Sequence, residues 1–135
     1  MPNLILQRYR AEILNLAMRH GATPQWAADR DQKAVVYEGV LLPEVLRLVG
    51  APLGEDFHHQ QPTWYVLIEA KDGYRALFAL PEADPAFSDH VILLADRKDG
   101  KPLSTDEGPL RLVIPDEKKR ARWIRQVIGV RLGRL

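Results

Sequence analysis

Apolar positions along this chain fall in short runs broken by turn residues, the pattern of brief strands rather than long helices. Leu4-Ile5-Leu6 and Val35-Val36-Tyr37 read as strands. Ile13, Leu14, Leu16 and Ala17 recur at near-helical spacing and predict a helix over 9–20, with Gly21 at its stop. Residues 22–33 are polar and turn-rich. A second helix is expected from Pro43, suited to a first turn, to Gly50, with Val45, Leu46 and Val49 on its apolar side.

The stretch 51–62 reads as an exposed loop. Beyond it, Trp64–Ala70 and Tyr74–Leu80 predict a hairpin closed by Asp72-Gly73, with positive φ at both turn residues and with Tyr74, Ala76, Phe78 and Leu80 on one face. A helical turn is expected over Pro81–Asp84 and a buried strand over Val91–Ala95. A turn at Asp99-Gly100 and a strand over Leu110–Ile114 follow. The stretch 118–132 is expected to turn once and end as a strand, with Ile128 and Val130 sharing a face. Many short strands with two or three short helices indicate an antiparallel-rich α+β fold of layered sheets. No β-helix-β unit with a glycine-rich phosphate turn is present, which excludes Rossmann and P-loop readings.

The chain has 135 residues, 46% hydrophobic and 27% charged, without repeats or low-complexity linkers, so residues 1–135 read as one domain. The absence of cysteine excludes disulfides, thiolate metal sites and cysteine nucleophiles. No apolar run approaches the roughly 20 residues of a membrane span, so no membrane insertion is expected. Met1-Pro2-Asn3 opens no basic-then-apolar leader, and a cytoplasmic location is the expectation.

Net charge is +1, but it is unevenly spread. Residues 116–135 set Lys118, Lys119, Arg120, Arg122, Arg125, Arg131 and Arg134 against Asp116 and Glu117. Such a cluster suits a phosphate-bearing ligand, through paired arginine hydrogen bonds, or it is a solvated basic edge. Aromatic residues do not interleave with it, so a nucleic-acid partner is not expected. His58 and His59 are adjacent and point apart in an extended segment, which gives no metal site. Ser88-Asp89-His90 holds hydrolase residue types, but consecutive residues cannot form a triad. Trp123 reads either as a core aromatic or as an indole donor to a ligand.

Taken in order, several motifs resemble the molybdopterin-binding domain of the sulfite oxidase family. They are Tyr37-Glu38-Gly39-Val40-Leu41-Leu42, Glu69–Tyr74, Leu93-Leu94-Ala95-Asp96 with Asp99–Leu103, Gly108-Pro109-Leu110-Arg111, and Arg122-Trp123-Ile124. The resemblance covers about residues 37–132. It implies a layered mixed fold that holds a pterin dithiolene carrying molybdenum, with Arg111 in the Gly-Pro-x-Arg element and Arg122 and Trp123 in the basic-Trp element as cofactor-binding residues. The alternative for Arg111 is an arginine that stabilises a strand end through a local carboxylate such as Asp106.

Two departures shape the functional expectation. Relatives in this family ligate molybdenum through a cysteine upstream of Tyr37, and residues 25–31 contain none, so no metal ligand and no catalytic residue are identified. Glu107 stands where the resemblance implies Asn or His, and its carboxylate would repel an anionic phosphate unless a base neutralises it. The leading expectation is a stand-alone domain that binds a pterin or similar phosphorylated small molecule, without independent redox turnover. The alternatives are a cofactor-less protein-interaction module and an oxidoreductase subunit that needs a protein partner. Anion binding by Arg111 requires its guanidinium to reach a cleft; an Arg111 sealed in the core would leave an inherited scaffold.

Overall fold

In a computed structural model, the structure describes residues 34–54 and 63–135, together with the backbone of 3–5 and 25–28. The expected helix over 9–20 and the pair His58-His59 lie outside the described residues. The elements in chain order are β1 (Asn3–Ile5), β2 (Gln25–Ala28), β3 (Ala34–Leu41), α1 (Leu42–Arg47), β4 (Trp64–Ala70), β5 (Arg75–Ala79), α2 (Leu80–Ala83), β6 (Leu93–Lys98), β7 (Lys101–Pro102), β8 (Arg111–Val113) and β9 (Val127–Arg134). A single 3-10 turn, Arg120–Arg122, precedes β9.

The strands form two antiparallel sheets, one ordered β1-β9-β4-β5 and the other β2-β3-β6-β7 with β8 also paired to β6. Alternation drives this layering. Val66, Ile68 and Ala70 of β4 and Ala76 and Phe78 of β5 are buried, while Arg75 and Leu77 face outward. They join Tyr37, Val40, Leu93, Leu94, Leu112 and Val113 of the second sheet in one apolar cluster. This is the α+β, antiparallel-rich architecture that the patterning indicates. Among the described residues no helix is long and apolar enough to cross a membrane.

Close approach fixes one glycine. A Cβ on Gly39 would lie 2.1 Å from the Leu94 carbonyl oxygen, at the irregularity where the register of β3 against β6 shifts.

Three local expectations are corrected. In the β4–β5 hairpin only Gly73 has positive φ, because the turn spans Ala70–Gly73, closed by the Gly73 N–H on the Ala70 carbonyl. The two-residue turn with both residues at positive φ is instead Asp99-Gly100, between the paired Lys98 and Lys101. In β9, Val127, Val130 and Leu132 are buried and Ile128 is only partly so, since the register skips Ile128 between Val127↔Ala70 and Gly129↔Glu69. That extra residue shifts the alternation that the sequence pattern implies. The polar stretch 22–33 also contains β2, whose pairing with β3 no apolar alternation announces.

Candidate functional site

Three segments converge at one end of the sheets: the β4–β5 turn, the loop Ser104–Gly108, and residues 120–126. Gln126 stitches them together. Its backbone lies in the left-handed region (φ 50°), its carbonyl accepts the Lys71 N–H at 3.0 Å, and its N–H donates to the Glu107 carbonyl at 2.8 Å. Its side-chain amide donates to the Thr105 carbonyl at 2.8 Å. The Tyr74 hydroxyl adds a clasp, donating to the Ala121 carbonyl at 2.6 Å. Between these segments lies a recess of about 420 Å³, lined by Asp72, Tyr74, Asp106, Arg120, Trp123 and Arg125 among others.

Trp123 forms the inner wall. It is buried, its indole N–H donates to the Ile114 carbonyl at 3.0 Å, and its ring meets Tyr37 edge-on, centroids 5.9 Å apart. The indole donor is therefore spent within the fold. The Arg120 guanidinium lies over the ring, 4.3 Å from its centroid. Residues three apart in a 3-10 turn align on one face, which brings Arg120 rather than Arg122 onto Trp123.

Arg111 sits behind this wall. β8 pairs it with Ala95 and directs it between Tyr37 and Trp123, its guanidinium carbon 5.9 and 5.5 Å from the two ring centroids. It is 6% exposed and faces no cleft, so the expectation that its guanidinium reaches an anion is corrected: burial between two rings and pairing within the fold leave Arg111 in the arrangement expected of an inherited scaffold. Its Nη1 donates to Glu107 Oε1 at 2.6 Å and to the Tyr37 hydroxyl at 3.3 Å. Lys98 Nζ approaches the same Glu107 oxygen at 3.5 Å. Glu107, rather than Asp106, is thus the local carboxylate, and Arg111 is the base that neutralises it. Burial pushes the Arg111 guanidinium below its ordinary value; Tyr37 and Glu107 oppose this, while Arg125 and Arg120 add to it.

Arg122 is placed elsewhere. It donates to both Glu117 and Glu82, the latter at 3.1 Å, and to the Leu77 carbonyl at 3.1 Å, and it lies 4.1 Å from the Phe78 ring centroid. It braces the 3-10 segment against β5 and α2. Arg111 and Trp123 are therefore brought together, and Arg122 is not part of their contact.

Sequence reading missed Arg120 and Arg125 as recess residues. The signal for Arg120 was its spacing of three from Trp123, legible only once a 3-10 turn was expected there. The Ser88-Asp89-His90 stretch is a loop in which the His90 N–H donates to Ser88 Oγ at 3.1 Å and His90 Nδ1 lies 2.8 Å from Asp116. The chain has no cysteine, and no group of three His, Asp or Glu side chains among the described residues is placed to hold a metal ion.

A search of curated proteins returns no match. A family profile described as oxidoreductase molybdopterin binding domain does match, over residues 13–131. The matched range holds β2 to β8, most of β9, the recess and all three of Arg111, Arg122 and Trp123, and leaves out β1. The chain belongs to the oxidoreductase molybdopterin binding domain family.

Proposed function

We propose that this domain binds a phosphorylated pterin, or a small molecule of the same chemistry, in the recess beside Trp123 and does not carry out redox turnover alone. The observation that carries the reading is the juxtaposition of Arg120 and Arg125 at a recess walled by Trp123, with the Arg120 guanidinium over the indole ring. Among the described residues Arg120 and Arg125 have no acidic partner, so both remain available to an anion. The Arg120 guanidinium, stacked on Trp123, offers a flat cationic shelf for a heterocycle or a fork for phosphate oxygens.

The acidic lining favours a pterin over a bare phosphate. The amino-pyrimidine edge of a pterin carries N–H donors, and Asp106 supplies a carboxylate acceptor on the same recess as the arginines. A volume of about 420 Å³ falls within the range of small-molecule sites. Of the residues singled out by the family resemblance, Trp123 forms the wall, Arg111 is held behind it in an ion pair with Glu107, and Arg122 holds the backbone of the 3-10 segment.

The metal portion of a molybdenum cofactor does not fit the donors present. A soft metal calls for thiolate, and the chain has none. When bound, the pterin would supply sulfur ligands of its own; the protein's part is binding and orientation.

A second reading, a protein-interaction module on the same fold, is favoured by the internal ion pairs of Arg111 and Arg122. Calorimetric titration with a phosphorylated pterin separates the two. The binding reading expects saturable heat that falls about ten-fold or more in affinity in Arg120→Ala, the scale of a hydrogen bond to a charged group. No heat with the wild-type protein leaves the interaction module.

A further inference from the structure

The three segments that converge on Gln126 serve two cavities. Ala70 and Asp72 of the β4–β5 turn and Asp106 of the following loop line the recess, whereas Lys71, Ser104 and Thr105 line a separate groove of about 450 Å³. Gln126 lines both and stands between them. The groove is preformed. Its Lys71 N–H is held by the Gln126 carbonyl at 3.0 Å, its Thr105 carbonyl by the Gln126 amide at 2.8 Å, and its Ser104 carbonyl by the Gly108 N–H at 2.7 Å. No segment has to move for it to be filled.

One wall is apolar. The extra residue in β9 takes Ile128 out of the buried alternation and leaves it half-buried along the groove, a re-aiming of a side chain that bulges commonly produce. Leu103, half-buried against the core, and the exposed Pro109 complete that wall. The other wall is polar and of one sign. Lys71 brings an ammonium and Ser104 and Thr105 bring hydroxyl donors, and among the described residues none of the three side chains has a hydrogen-bonding or acidic partner. No carboxylate lines the groove, whereas Asp72 and Asp106 line the recess.

We infer that this groove is a second ligand site, for a small organic carboxylate with a compact apolar body. The carboxylate takes the Lys71 charge and the two hydroxyl donors, and the apolar body covers Leu103, Pro109 and Ile128. One ammonium without a guanidinium fork suits a monoanion; a phosphate is better matched by the arginines of the recess. The volume is within the range of small-molecule sites. The groove site does not depend on binding in the recess.

Benzoate is the probe, titrated into the wild-type chain and into Arg120→Ala/Arg125→Ala, which lacks the recess arginines. The methyl resonances of Ile128 and the amide resonance of Thr105 are followed. Saturable shifts at both positions are expected, with the same affinity in the two proteins. Benzamide keeps the ring without the charge, and acetate keeps the charge without the ring; each is expected to bind about ten-fold or more weakly. Lys71→Met retains the aliphatic stem of an exposed side chain and should reduce benzoate to the affinity of benzamide. Unmoved Ile128 resonances, or equal affinities for benzoate and benzamide, overturn the inference without any variant. Weaker benzoate binding in the arginine double variant would put the probe in the recess and overturn it as well. Pterin binding is read separately, so the recess reading stands or falls on its own titration.

Discussion

Arg120 and Trp123, three residues apart, stack with the guanidinium carbon 4.3 Å from the indole centroid, and the same indole donates its N–H inward to the Ile114 carbonyl. One aromatic side chain thus anchors the core with its polar atom and presents a cation to the recess on its face. Local 3-10 geometry produces this arrangement, and the candidate site depends on it.

Replacing Trp123 by Phe tests the anchor. The Ile114 carbonyl loses its donor and the smaller ring leaves space against Tyr37, so a loss of about 1–3 kcal/mol is expected. Urea unfolding checks it; an unchanged midpoint would show that the indole N–H contributes nothing.

Removing the partner of a buried charge has a larger effect. Glu107→Ala leaves Arg111 buried between two aromatic rings with Tyr37 as its remaining acceptor among the described residues, and destabilisation of about 3–5 kcal/mol is expected. Glu107→Gln retains an acceptor oxygen and should lose distinctly less. Equal losses for both in chemical denaturation would place the effect in packing and not in charge.

Acid sensitivity is expected at the Arg122 brace. Burial works to raise the Glu82 carboxyl, but hydrogen bonds from Arg122 and the Ala79 N–H, with the Arg122 charge, hold it below its ordinary value of 4.5. A carboxyl lowered on folding contributes stability that is present above its unfolded pKa and lost as pH falls through the folded one. Stability should therefore decline below about pH 4.5 more steeply in the wild type than in Glu82→Gln. Arg122, raised by Glu82 and Glu117 against the opposing effect of burial, contributes no change in this range. Parallel pH profiles for the two proteins would contradict the coupling.

Two glycines should respond differently to Ala. A Cβ at Gly133 would lie 2.2 Å from Cζ of the Tyr65 ring, a side chain able to swing aside. At Gly39 it would meet the Leu94 carbonyl at 2.1 Å and the Ala95 Cα at 2.7 Å, backbone that cannot yield without parting β3 from β6. Gly133→Ala is expected to lose about 1–3 kcal/mol and Gly39→Ala more than about 4, enough to abolish folding. Thermal melts of the purified variants decide the order.

The sheets were legible where alternation is regular. Val66, Ile68, Ala76 and Phe78 are buried as their period of two requires, and Pro43 and Pro81 mark the starts of α1 and α2. What escaped depends on contacts between distant segments. The skipped register at Ile128 arises from pairing β9 with β4, and the type of the Asp72-Gly73 turn depends on how many residues the strands leave to the loop. The candidate site was legible in part for the same reason. Arg111 and Trp123 do meet, but the sequence does not reveal that β8 turns Arg111 inward to Glu107 or that Arg122 is held by Glu82 and Glu117. Adjacent positions in sequence, 122 and 123, proved less informative than the pair 120 and 123.

Recess binding can be read without choosing a ligand in advance. Protein purified without refolding is denatured, and oxidised-pterin fluorescence and molybdenum are measured per chain for the wild type and for Arg120→Ala/Arg125→Ala. The account predicts pterin approaching one per chain in the wild type and a marked loss in the double variant. Wild-type protein at full occupancy of its fold and free of pterin, or a double variant that retains as much as the wild type, would contradict it.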